Sequence, residues 1–145
     1  MHEMQPTPKI ITIIGLVMEG IGVLSLGLFA ILIRFVENIP GYDAMLDDMT
    51  GEDLEIFEWM MGFLDTFLLV MAAILIPIFI INLILFTKLI KGSLTDENAK
   101  KVYLYQAIWG GINIFSNTVT GILYLISGVQ GYNGHIDKIN VREGI

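Results

Sequence analysis

Three long apolar runs, residues 10–33, 60–89 and 103–129, dominate this chain. Each exceeds the roughly 20 residues that an α-helix needs to cross a bilayer core of about 30 Å. Little else is left over. With 16% charged residues and a mean hydropathy of +0.71, the 145-residue chain has too little polar surface to coat a water-soluble globule. Once three spans are subtracted, no remaining segment is long enough for a separate soluble core. The expected fold is all-α: one integral membrane helical bundle over residues 1–145 with three transmembrane helices. The alternative is four, with the last run a short hairpin.

The net charge of −7 is localised. Residues 34–59 hold eight acids (Glu37, Asp43, Asp47, Asp48, Glu52, Asp53, Glu55 and Glu58) against Arg34, and the rest of the chain is balanced. Such a patch repels nucleic acid and anionic lipid, and it attracts cations or a basic partner. Nucleic acid is therefore excluded as a partner, and the lipid bilayer is the expected one. The absence of cysteine excludes a disulfide framework, a thiol nucleophile, a zinc-thiolate site and palmitoylation.

Charge also sets the expected orientation. Lys88, Lys91, Lys100 and Lys101 cluster between the second and third runs, and Lys9 precedes the first. The positive-inside bias places these in the cytoplasm and segment 34–59 outside, in a cell membrane. The first run is longer than the roughly 7 to 15 apolar residues of a signal core and lacks a small-x-small site at its end, so it is read as a retained span. Three crossings would leave Lys138 and Arg142 outside. A break of the third run at residues 116–118 would return them inside, but with arms of about 20 Å, short for a bilayer core.

Periodicity favours the unbroken helix. Gln106, Gly110, Asn113, Asn117, Thr120, Tyr124, Ser127 and Gly131 follow alternating steps of four and three, a heptad seam down one face. Small residues let helices approach closely in lipid, and Asn, Gln, Ser and Thr hydrogen-bond across the contact, so the seam should face protein or water. Thr95, Asp96 and Glu97 suit the start of this helix, and Gly92 and Ser93 make the preceding turn. In the second run Pro77 removes the hydrogen bond to the Ala73 carbonyl and should kink the helix. Thr50 with Asp53 reads as a capping box at its start. Pro40 and Gly41 should turn the chain, with Asp43 capping a short helix that ends near Met49.

Glu19 is the one carboxylate well inside the first run. An acid there faces the bundle interior or water. Counting from the cytoplasmic ends at about 1.5 Å per residue, Glu19 lies about 13 Å deep, Asn113 about 15 Å and Asn82 about 10 Å. The three are expected to converge in one intramembrane polar cluster, either as a tie between helices or as a proton or ion relay. Asp65, near the outer end of the second span, is expected at the interface instead. In the acidic segment, Asp43, Asp47 and Asp48 lack the ligand spacing and central glycine of a calcium loop.

Catalytic constellations are missing. His2 and His135 lie in the tails, without metal-ligand spacing. There is no H-E-x-x-H motif and no phosphate-cradling glycine loop. No enzyme activity, catalytic residue, metal or other cofactor is expected.

The stretch TGILYLISGVQG at residues 120–131 resembles the closing helix of small Gram-positive bacterial multi-pass membrane proteins of unknown function. In these a glycine-spaced GILxLIxG segment follows a basic connection, here Lys100 and Lys101. The glycine-rich first span followed by an outer loop is also similar. Asn113, Asn117 and the acidic segment depart from that pattern. The resemblance implies a bacterial plasma membrane, favours the four-pass alternative and carries no active-site residue. The expected role is structural or regulatory, with the seam pairing to a second copy or a larger membrane protein. The alternative is an oligomeric channel or small transporter whose seam lines water.

Overall fold

A computed structural model describes the backbone of residues 1–142 and the side chains of residues 1–134. The chain is all-α, in the order α1 (Pro6–Phe35), a 3-10 turn (Val36–Asn38), α2 (Tyr42–Asp47), α3 (Gly51–Ile90), α4 (Asp96–Asn113) and α5 (Thr118–Arg142). Two of these helices, α1 and α3, are long and apolar enough to cross a membrane. Their most apolar stretches are only 6% and 11% buried. A core helix of a soluble protein would hide such residues; here Leu24, Leu28, Phe29, Ile74 and Ile80 are all at least half exposed.

The chain forms two compact units, and α1 and α3 contribute to both. The unit made of Gly22–Ile78 contains the end of α1, the acidic connection and most of α3. Gly41, at φ +88°, makes the turn into α2. That conformation is open to glycine without steric penalty, and it makes Gly41 rather than Asp43 the cap residue; Asp43 lies in the first turn. Thr50 Oγ1 donates to Asp53 Oδ2 at 2.7 Å at the start of α3, and α3 continues as one helix through Pro77. Arg34 Nε donates to Asp65 Oδ1 at 3.2 Å, with both side chains well exposed.

The other unit joins Met1–Ile21 to the chain from Phe79 onward. Its core is Phe86 and Leu89 of α3, Ala99, Val102 and Tyr103 of α4, Tyr124 of α5, and Met4. Helix α3 closes in a paired turn: Ser93 N donates to Lys88 O and Gly92 N to Leu89 O, with Gly92 at φ +70°. This is the left-handed glycine stop of a Schellman motif. Thr95 Oγ1 then accepts from Asn98 N at 3.3 Å to start α4, and Lys101 pairs with Glu97 at 3.0 Å one turn on.

The third apolar run is not one helix. It folds back at residues 114–117 into α4 and α5, which corrects the expectation of a single unbroken span over 103–129. Asn117 is the physical cause. Its Oδ1 accepts from Thr120 N at 3.4 Å, the side-chain cap of a new helix, while Thr118 Oγ1 donates back to Ile114 O at 2.8 Å. The amides of residues 114–117 are all hydrogen-bonded within the turn. The two arms then pack backbone to backbone. A Cβ on Gly110 would lie 2.5 Å from Leu125 N, one on Gly121 2.5 Å from Ile114 N, and one on Gly128 2.6 Å from Ala107 N. Only glycine permits that approach. Lys138 and Arg142 belong to α5, and their side chains, like that of His135, lie outside the described residues.

Candidate functional site: a buried carboxylate centre

Helix α1 buries Pro8, Thr12, Gly15 and Glu19, at steps of four, three and four. This is a second seam, and it meets the first. Seven of the eight residues of the α4–α5 seam are buried, and Asn117, at the turn, is half-buried. The seam faces the inside of its own hairpin and α1, so it is not displayed to a neighbouring molecule.

Glu19, 6% exposed, sits at the centre. Asn82 Nδ2 of α3 donates to its Oε1 at 2.7 Å, and Trp109 Nε1 of α4 reaches the same oxygen at 3.4 Å. The hydroxyl of Tyr124 in α5 hydrogen-bonds Oε2. Tyr105 donates to Asn82 Oδ1 at 2.5 Å, which fixes the amide so that its NH₂ points at the carboxylate. One carboxyl group therefore ties α1, α3, α4 and α5 together. It enters no ion pair among the described residues.

The sequence builds this centre with a repeated device. Gly15 lies one turn before Glu19, and a Cβ there would be 2.5 Å from Tyr124 Cε1. The missing side chain is the slot through which the tyrosine ring passes to reach the acid. Gly131 is the same kind of slot for the ring of Tyr103. The Tyr103 hydroxyl lies 2.8 Å from His2 Nε2, and His2 Nδ1 lies 3.1 Å from Asp96 Oδ1. His2 is 5% exposed, and its backbone N donates to Leu94 O at 2.7 Å. His2, near the start of the chain, is thus clamped on the α3–α4 turn.

Between these levels runs a directional chain. Gln106 Nε2 donates to Thr12 Oγ1 at 2.8 Å, Thr12 and Ser127 hydroxyls meet at 2.6 Å, and Ser127 Oγ donates to the Pro8 carbonyl at 2.8 Å. Because Ser127 gives its proton to Pro8, the Thr12 hydroxyl is the donor to Ser127. This leaves Thr12 free to accept from Gln106.

Of the three residues expected to converge, the structure brings Glu19 and Asn82 together, while the side-chain hydrogen bond of Asn113 is with Ser116 Oγ, at 3.2 Å. The third corner is filled instead by Tyr105, Trp109 and Tyr124. Tyr105 carries an interfacial signal in the sequence, and Trp109 none beyond its one-turn spacing from Tyr105. Among the described residues, Asn113 Nδ2, Thr120 Oγ1 and Gln106 Oε1 are buried without a hydrogen-bond partner. No group of three His, Asp or Glu side chains among them is placed to hold a metal ion. In the Gly22–Ile78 unit, Asp43, Glu58 and Asp65 line a cavity of about 750 Å³ together with Arg34.

Chemically, the Glu19 centre is a hydrogen-bond acceptor met by donors from three other helices. Comparison with protein-family models, curated proteins and solved structures gives no match for this chain.

Proposed function

We propose that this is a small integral protein of the cell membrane with a structural or regulatory interaction role and no catalysis. In this reading α1 and α3 cross the bilayer, and the α4–α5 hairpin enters from the cytoplasmic side and returns to it. Placing α5's end beside the start of α1 gathers Lys9, Lys88, Lys91, Lys100, Lys101, Lys138 and Arg142 on the cytoplasmic side and leaves Arg34 outside. This seven-to-one split agrees better with the positive-inside bias than three crossings do. The N-terminus is then cytoplasmic and segment 34–59 external.

One observation carries the role. Two sets of polar side chains in the membrane-depth region bond one another: Glu19 with Asn82, Trp109 and Tyr124, and Thr12 with Gln106 and Ser127. Polar groups at this depth ordinarily mark either a transport path or interhelical ties. Here each bond runs between helices of one chain, which supports ties. A partner, whether a second copy or a larger membrane protein, is then met through the exposed outer faces of α1 and α3.

The water-lined alternative makes a different prediction at the same residues. Cysteines at Asn113, Asn117 and Thr120 of a channel would react with water-soluble thiol reagents, and proteoliposomes would conduct. The present reading expects Asn113 and Thr120 positions to be protected and flux to be absent. Tagged protein in mild detergent should co-purify with itself or a membrane partner, and Glu19→Gln should weaken the fold. A Glu19→Gln chain that assembles with normal stability but loses a flux would replace this reading with transport.

A further inference from the structure

At the basic end of the Met1–Ile21 and Phe79-onward unit, a cavity of about 300 Å³ opens between the N-terminal strap and the end of α3. Its charged lining is Lys9, Lys91 and Glu3, and its apolar wall includes Met4 and Ile90. We propose that this cavity binds the phosphate-bearing headgroup of an anionic membrane lipid. The inference rests on the membrane reading above, because it is that reading which puts the first turn of α1 and the last of α3 at headgroup level.

The floor of the cavity is fixed before anything binds. His2 is held by Asp96, Tyr103 and Leu94 O. At Gly92, which has φ +70°, a Cβ would lie 3.2 Å from His2 O. The strap therefore rests on a turn that only glycine makes comfortably. Neither Lys9 nor Lys91 enters an ion pair among the described residues. The neighbouring acids are occupied, Asp96 by His2 and Glu97 by Lys101. Among the lysine and carboxylate side chains of the lining, two lysines against Glu3 leave one positive charge to spare. Lysine binds phosphate as a point charge on a flexible stem, and basic pockets at the cytoplasmic ends of membrane helices recognise anionic headgroups. Met4 and Ile90 supply the apolar wall that a glycerol backbone and the first acyl carbons need. A zwitterionic headgroup brings its own cation and gains less from the lysines.

The test uses the full chain in nanodiscs of equal phosphatidylglycerol and phosphatidylcholine, released into mild detergent, with retained lipid counted by native mass spectrometry. Phosphatidylglycerol should be retained over phosphatidylcholine by about fivefold or more, the factor expected for one unmatched lysine near a membrane surface. The pair Lys9→Gln with Lys91→Gln should abolish the preference. The pair Lys88→Gln with Lys100→Gln removes the same charge outside the cavity and should preserve it. Equal retention of the two lipids, or an equal fall in both double variants, overturns the site in favour of diffuse surface charge. Displacement of the lipid by millimolar inorganic phosphate would overturn the lipid source and assign the pocket to a free anion. A chain that stays soluble and monomeric without detergent sinks the membrane reading itself. A detergent-dependent chain with no lipid preference sinks only this site.

Discussion

Gly110 and Gly111 are adjacent in α4, and the same substitution should act on them with opposite sign. A Cβ on Gly110 would stand 2.5 Å from Leu125 N and 2.7 Å from Gly121 O, whereas one on Gly111 would meet nothing within 4 Å. Because the atoms opposing Gly110 are backbone, no rotamer change relieves the clash. To reach the 3.4 Å of ordinary contact, α5 must retreat by about 0.9 Å, a displacement that a packed interior resists. Carried along α5, that shift would stretch the 2.6 Å Thr12–Ser127 bond to the edge of hydrogen-bonding range. Overpacking of this kind costs about 1–3 kcal/mol, and the better helix propensity of alanine returns about 1 kcal/mol. Gly110→Ala should therefore lose up to about 2 kcal/mol, and Gly111→Ala should gain about 0.5–1 kcal/mol. Unfolding in mixed micelles with a denaturing detergent, followed by Trp109 fluorescence in a Trp59→Phe background, measures both. If the third run were one straight helix, both substitutions would stabilise. Equal effects in the two variants refute the hairpin contact.

Three further outcomes follow from the hydrogen bonds. Thr12→Val keeps the shape but removes the hydroxyl that joins Gln106 to Ser127, and should cost about 1–2 kcal/mol in the same assay; no loss would mean the chain of hydroxyls is not formed. Asn117→Ala removes the α5 cap and should cost about 1 kcal/mol, while Asn117→Asp, which also caps, should largely preserve stability. The carboxyl of Glu97 is held below its ordinary range by the hydrogen bond and charge of Lys101, so its NMR titration midpoint should rise in Lys101→Ala. A depressed value means the pair favours the folded chain above the ordinary carboxylate range and loses that contribution as pH falls through the lowered midpoint. Because Glu97 is fully exposed, the global unfolding midpoint should barely respond.

The two long helices were legible because 10–33 and 60–89 are apolar over more than a helical crossing, a signal that no local detail reverses. The seam at 106–131 was legible as a period but misassigned as a continuous helix. A heptad phase survives a hairpin when both arms turn the same stripe inward, so periodicity cannot distinguish a stripe facing a partner from one facing itself. The distinguishing signal was local, in Ser116, Asn117 and Thr118, three residues with side chains able to cap a helix end. Glu19 and Asn82 could be paired by counting depth along straight helices. Asn113 was placed by the same count, but α4 ends at that residue and its side chain is taken up by Ser116 in the turn. Trp109 and Tyr105 escaped because aromatic donors are ambiguous in sequence, serving equally at headgroup level and beside a buried acid. The α1 stripe of Pro8, Thr12, Gly15 and Glu19 was visible only as scattered glycines and one acid, since threonine and proline carry no packing signal alone.

The glycine contacts between α4 and α5 bear on how such a chain is made. Among the described residues only α1 and α3 are long and apolar enough to cross a membrane; α4 carries Gln106 and Asn113, and α5 carries Thr120 and Ser127. On the membrane reading, a lone α4 emerging from the ribosome has nowhere to hide its amides, so its lateral entry must wait until α5 has been translated. The C-terminal third would then arrive as a closed clasp, seated on two helices already in place. Chains cut before Thr118 and held on the ribosome by a linker long enough to fill the exit tunnel should keep α4 at the membrane surface, within reach of reagents that cannot touch it once synthesis is complete.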